Sequence, residues 1–140
     1  NVPGKWAVIL ALTSNKGAND FQYHNEDGIK LFERVISVSQ KWGNNNNIMY
    51  VVGATKPEML KNVRKLVPEF FLLIPGVGAQ GGNIEEVSKY GMNNTCGLLV
   101  NSSRAIIFAD NSENFDKAAR AKAQEMQMEM EKQLRQKRLI

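Results

Sequence analysis

The sequence predicts an α/β fold in which four consecutive βα units lay down a parallel sheet with helices packed on it. Three observations predict it. Short apolar runs recur as continuous stretches rather than alternations, which is how strands covered on both faces read. A segment whose apolar residues have helical spacing or a helix-capping signal follows each run. Polar, glycine-containing loops leave the carboxyl ends of the runs.

Trp6 to Leu12 is the first strand. After a polar loop, Ile29, Phe32, Val35 and Ile36 recur with helical spacing, and that helix should end near Gly43, ahead of the turn-forming run Asn44 to Asn47. Ile48 to Val52 is the second strand. Pro57 suits the first turn of the next helix, whose apolar face is Met59, Leu60, Val63, Leu66 and Val67. Phe70 to Ile74 is the third strand, stopped by Pro75-Gly76. Asn83 is the expected N-cap of a short helix through Tyr90, with Gly91 as its terminator. Gly97 to Val100 is the fourth strand. The last helix should start near Glu113 and run beyond Leu134, with Phe115, Ala118, Ala119, Ala123, Met126, Met130 and Leu134 on one stripe.

A closed (β/α)8 barrel takes about 250 residues, so four units amount to about half of one. Residues 1–140 are expected to form one domain. A half barrel leaves two open strand edges and an unclosed core, which a missing N-terminal half or a second copy of the chain would have to cover. The start at Asn1, a few residues before a strand, reads as a fragment.

Composition excludes more than it identifies. The chain is 43% hydrophobic and 23% charged, which is ordinary for a globular domain. No apolar run approaches the ~20 residues of a membrane span, and no secretory signal opens the chain. The single Cys96 allows no intramolecular disulfide and fits a reducing, cytoplasmic setting. The net charge of +4 owes much to Lys132, Arg135, Lys137 and Arg138. These interleave with or follow Glu125, Glu129 and Glu131, which makes a solvated helix face rather than a nucleic-acid or membrane surface.

Ligands of parallel α/β folds collect on the loops at the carboxyl ends of the strands. Here those loops are Thr13 to Gln22, Gly53 to Lys56, Pro75 to Gly82, and Asn101 to Ile106. The third carries Gly76, Gly78, Gly81 and Gly82 around Gln80. Glycines let a backbone approach a ligand closely, and successive N–H groups ahead of a helix form an anion site. Gly76, Gly78 and Gly81 also match the spacing of a dinucleotide fingerprint, but the next strand ends at Val100-Asn101 without an acidic residue. A dinucleotide site is excluded. The fourth loop, Asn101-Ser102-Ser103-Arg104, supplies a guanidinium whose paired donors fit a phosphate. Barrels commonly bind phosphate on the loops after their seventh and eighth strands, and these are those loops if the chain is a second half.

The first loop offers Thr13, Ser14 and Asn15 to a heterocycle edge, although a plain turn would look the same. Lys56 reads as an exposed residue before Pro57, and His24 as a surface residue. No Ser/His/Asp set, metal cluster or Walker loop is present in the sequence.

Four segments carry a resemblance: Leu12 to Ala18, Val52 to Glu58, Leu73 to Gly82 with its Pro-Gly-Val-Gly-Ala-Gln-Gly-Gly, and Val100 to Arg104 with its Asn-Ser-Ser-Arg. In their order and spacing they resemble the C-terminal half of orotidine 5′-phosphate decarboxylase, in the longer bacterial branch of that family. The resemblance implies a homodimeric barrel that converts orotidine monophosphate to UMP and carbon dioxide, with no metal or organic cofactor. It implies that Arg104 and the backbone amides around Ser103 hold the phosphate, and that Gln80 bridges phosphate and base. Ser14 would hydrogen-bond the pyrimidine, Pro75 would pack near the base, and Gly78 and Gly81 would bring the backbone to the ligand. The family's catalytic Asp-x-Lys-x-x-Asp cluster belongs to the first half of the barrel and has no counterpart here. No residue of this chain is therefore expected to be catalytic, and the chain alone should not turn over substrate. Two other readings stay open: a non-catalytic phosphate-binding half barrel, and a related barrel lyase acting on sugar phosphates.

Overall fold

The structure, a computed structural model, describes residues 2–54, 57–78 and 82–140. Strand β1 (Ala7–Leu12) leads through α1 (Ala18–Phe21), the hairpin strands β2 (Asn25–Glu26) and β3 (Ile29–Lys30), and α2 (Leu31–Ser39). Then β4 (Ile48–Val52), α3 (Pro57–Leu66), β5 (Phe71–Pro75), α4 (Ile84–Gly91) and β6 (Leu98–Asn101) alternate. The chain closes with α5 (Arg104–Ile107) and α6 (Phe115–Gln136).

The sheet is parallel, in the order β1-β4-β5-β6. Consecutive βα units thus lie side by side, as the alternating pattern predicts. One irregularity interrupts the ladder: Leu10 pairs with Val51 but Leu12 with Val52, so Ala11 is an extra residue that brings both Ala11 and Leu12 into the core.

The helices cover one face of the sheet. Tyr50, Val52, Leu72 and Ile74 point into a core completed by Phe32 and Ile36 of α2, Leu60 and Val63 of α3, Val87 of α4 and Met126 of α6. The Tyr50 hydroxyl lies 3.0 Å from that of Ser39, and burial raises its pKa against the lowering effect of that bond. The opposite face is apolar and open: Val8, Leu10 and Leu99 are 52%, 61% and 51% exposed. The uninterrupted apolar runs predict strands covered on both faces, and these residues cover one. In a closed barrel the second face is the interior, filled by layers of side chains from the other strands.

Several elements differ from expectation, each for a local reason. Ile29 belongs to a hairpin strand, not to a helix. Asp27 and Gly28 both have positive φ, 53° and 80°, as a two-residue type I′ turn requires. The helix starts only after the Lys30 amide donates to Glu33 Oε2 at 2.9 Å. It also ends at Ser39 rather than near Gly43, because Lys41 and Trp42 bond three residues back, to Val38 and Ser39, and tighten the last turn.

Asn83 caps α4 as expected, accepting from the amides of Glu85 and Glu86. Gly91 is not a left-handed terminator but the last residue of the helix. A Cβ there would come within 2.9 Å of both Leu60 and Leu98, so its smallness serves packing. Gly97 and Cys96 instead take the positive φ before β6, at 63° and 74°. In α6, Met126 and Gln133 are buried while Phe115 and Ala123 are exposed, so the helix buries a narrower stripe than the sequence implies. No helix among the described residues is long and apolar enough to cross a membrane.

Candidate functional site

The four loops at the carboxyl end of the sheet are joined in series, each to the next, through close approaches. The first meets the second where Ser14 lies against Gly53: a Cβ on Gly53 would sit 2.7 Å from the Ser14 backbone nitrogen and 2.9 Å from its Oγ. The second meets the third where Ala54 lies against Gly82, at 2.6 Å from where a Cβ would be. The third meets the fourth twice. Ser102 Oγ donates to the Val77 carbonyl at 2.9 Å, and Ala105 Cβ is 3.2 Å from where Gly78 would carry a Cβ. Glycine supplies the clearance at three of these four contacts, which is why the loops are rich in it.

Each loop is also ordered within itself. Gln22 reaches back nine residues to the first: its Oε1 accepts from the Thr13 amide at 2.7 Å and its Nε2 donates to Thr13 Oγ1 at 3.1 Å. This fixes the backbone that presents Ser14. In the third loop, Gly76 and Gly78 have φ of 87° and 82°, and the Gly78 amide donates to the Gly82 carbonyl at 3.0 Å. The loop therefore turns back on itself beside the end of β5. Pro75, the last residue of that strand, pairs with Asn101 of β6. Proline is tolerated there because it stands at the strand's end.

In the fourth loop Ser103 Oγ donates to Asn101 Oδ1 at 3.3 Å, and Arg104 opens α5. Arg104 is exposed, and among the described residues its guanidinium has no hydrogen-bond or ion-pair partner. A cation so placed can take an anionic ligand without first breaking an internal pair.

Ser14, Pro75, Gly78, Ser103 and Arg104 thus share one end of the sheet, on linked loops. Gln80 and Gly81, with Thr55 and Lys56, lie outside the described residues. Two supporting residues carry no signal in local sequence. Gln22 acts across nine positions and Ser102 across twenty-five, and neither separation has a periodicity to read. Among the described residues, no group of three or more His, Cys, Asp and Glu is placed to hold a metal ion.

A cavity of about 530 Å³ lies elsewhere, beside β6, lined by Met92, Leu98, Val100, Met130 and Leu134 among others. Its wall includes Glu131 and no lysine or arginine, so it is unsuited to an anion.

A family model described as "Orotidine 5'-phosphate decarboxylase / HUMPS family" matches residues 4–120. The chain belongs to this family. It is similar to the orotidine 5'-phosphate decarboxylase of Phocaeicola vulgatus, with 59% identity over 130 residues, 92% of this chain and 48% of that protein. It is similarly related to the Porphyromonas gingivalis protein of the same name, with 59% identity over 138 residues, 98% of this chain and 50% of that one. Among solved structures, Leishmania donovani OMP decarboxylase aligns with a TM-score of 0.72 at 31% identity, covering 90% of this chain and 48% of its own. Leishmania donovani UMP synthase aligns with a TM-score of 0.74 at 35% identity, covering 89% and 28%. The chain spans about half the length of the curated relatives it matches. The parallel sheet and its helices are accordingly half of a (β/α)8 barrel of this family.

Proposed function

We propose that this chain is the C-terminal half of an orotidine 5′-phosphate decarboxylase and supplies the contacts to the phosphate and the pyrimidine. The observation that carries the reading is the linked set of loops, in which Arg104, without a guanidinium partner among the described residues, follows the segment that Ser102 and Ala105 hold against the glycine turn. Arg104 and the backbone around Ser103 hold the phosphate, helped by Gln80 and the glycine-loop backbone at Gly78 and Gly81. Ser14, fixed by Gln22 and packed on Gly53, reads the pyrimidine edge, and Pro75 packs near the base. The curated relatives carry the decarboxylase name, which supports this over a sugar-phosphate lyase.

Phosphate lies far from a reacting carboxylate, yet its binding energy can be used at the reacting centre. The chemistry needs an acid to protonate the carbon that loses carbon dioxide. The Asp-x-Lys-x-x-Asp cluster that would provide it is absent from this sequence. Turnover therefore requires the other half of the barrel, which would also cover Val8, Leu10 and Leu99, and the whole protein acts as a cytoplasmic homodimer without a cofactor.

Calorimetric titration of UMP into the chain and into Arg104→Ala tests the site. The variant should lose about 2 kcal/mol of binding, as expected for a charge-assisted bond. Equal affinities would remove Arg104 from the site, and decarboxylation by the purified chain would refute the division of labour.

A further inference from the structure

Beyond the β5–β6 ladder, which ends at the Pro75–Asn101 pair, the third and fourth loops are joined by one side-chain hydrogen bond among the described residues, and it comes from neither Arg104 nor Ser103. Ser103 bonds within its own loop, to Asn101. Ser102, one residue past the end of β6, is the polar side chain of this segment that crosses to the glycine turn. Its acceptor is well chosen mechanically. Val77 is buried, stands between the two left-handed glycines Gly76 and Gly78, and bridges to Gly82 across the mouth of the turn. The two ends of the turn are tied by the Gly78 amide, which donates to the Gly82 carbonyl at 3.0 Å. The bond to the Val77 carbonyl ties the first part of that turn to the loop that carries Arg104. Gly78 packs at the same junction, where the Ser102 hydroxyl lies 3.7 Å from its would-be Cβ.

We infer that Ser102 is a positioning residue for phosphate recognition, setting the spacing between the glycine turn and the Arg104 guanidinium. The inference rests on the proposed phosphate site and adds a residue that need not touch the ligand. A phosphate gripped from two loops is sensitive to their separation, because hydrogen bonds weaken steeply outside a narrow range of distance and angle. A ligand without a phosphate gives Arg104 nothing to hold and depends less on that spacing, its third-loop contacts being those of Pro75 and Gln80 to the base. Ser102 therefore bears on the choice between a nucleotide and its nucleoside.

The test compares the chain with Ser102→Ala and Ser102→Thr, the second of which keeps a hydroxyl. Hydrogen exchange followed by mass spectrometry should show faster exchange in the segment spanning residues 76–84 of Ser102→Ala, unchanged exchange around Thr13, and wild-type behaviour restored in Ser102→Thr. In calorimetry, UMP affinity should fall five- to tenfold in Ser102→Ala, the size of one lost hydrogen bond, and recover in Ser102→Thr. Uridine affinity should change by less than about twofold across the three proteins, and a loss as large as that for UMP overturns the assignment to phosphate recognition. Unchanged exchange in residues 76–84 overturns the inference without reference to any ligand. Wild-type binding of UMP matched by Ser102→Ala overturns it as well, while leaving the site intact. A wild-type chain that binds no UMP refutes the phosphate reading, and the role assigned to Ser102 falls with it, even where exchange responds.

Discussion

Arg64 and Arg104 sit at opposite ends of the same parallel sheet and are held in opposite ways. Arg64 is enclosed at the amino end by backbone carbonyls. Its Nε donates to Gly91 at 2.7 Å, its Nη1 to Val67, Pro68 and Phe70 at 2.9, 3.2 and 2.7 Å, and its Nη2 to Gly97 at 2.9 Å. Burial pushes its pKa down to about 10, against the opposing pull of Glu69 and Cys96. Arg104 is exposed at the carboxyl end, and no described side chain or carbonyl holds its guanidinium. The same functional group closes one end of the fold and leaves the other open to a ligand. The difference lies in the backbone around it: the amino end offers carbonyls left over from α3, α4 and the starts of β5 and β6, and the carboxyl end offers turns.

The largest effect expected from this contrast is at Arg64. Replacing it with methionine keeps much of the apolar stem and strips the donors from five carbonyls, so urea unfolding should show a loss of about 3 to 4 kcal/mol. Lysine at the same position should recover only part of that, since one ammonium cannot reproduce the planar fork. A loss below about 1 kcal/mol in the methionine variant would mean that water reaches these carbonyls freely. Arg64 would then not be the closure of the amino end.

The carboxyl end is held by close packing of loops rather than by a cation, and Gly53 is where that can be broken. An added methyl group would meet the backbone nitrogen of Ser14 at 2.7 Å, and backbone cannot swing aside as a side-chain tip can. Gly53→Ala should cost about 2 kcal/mol in the same unfolding experiment, as overpacking does. It should also weaken uridine binding, because the displaced segment carries Ser14. Stability lost with uridine affinity retained would detach Ser14 from base recognition and leave Gly53 as a packing residue only.

How much of this was legible in the sequence follows the same division. The continuous runs at Ile48 to Val52 and Phe70 to Ile74 located their strands to within a residue, since hydrophobic patterning is local. The Asn83 cap was equally readable from its own segment. Asp27-Gly28 had a hairpin signal, but helical spacing that began at Ile29 competed with it. Gly91 reads as a terminator because glycine next to a helix end usually is one, whereas here Leu60 and Leu98 from other elements occupy the space of its side chain. The candidate site divided likewise. Its loops and Arg104 were visible as composition at strand ends, and the links through Gln22 and Ser102 were not, because they join positions related only by the fold.

The smallest expected effect is the most diagnostic. Arg104→Ala should leave the unfolding free energy within about 0.5 kcal/mol of the wild type, as for exposed residues that hold nothing in place. The expectation follows from the absence of any described partner for the guanidinium, and it is independent of what binds there. Combined with a loss of UMP affinity, it would separate binding from stability at Arg104, whereas at Arg64 the side chain is partly buried and structural. A stability loss above about 1 kcal/mol would show that Arg104 holds the fourth loop itself. Reduced UMP binding in that variant would then report a collapsed loop rather than a missing contact, and the two arginines would no longer represent two different uses of one side chain.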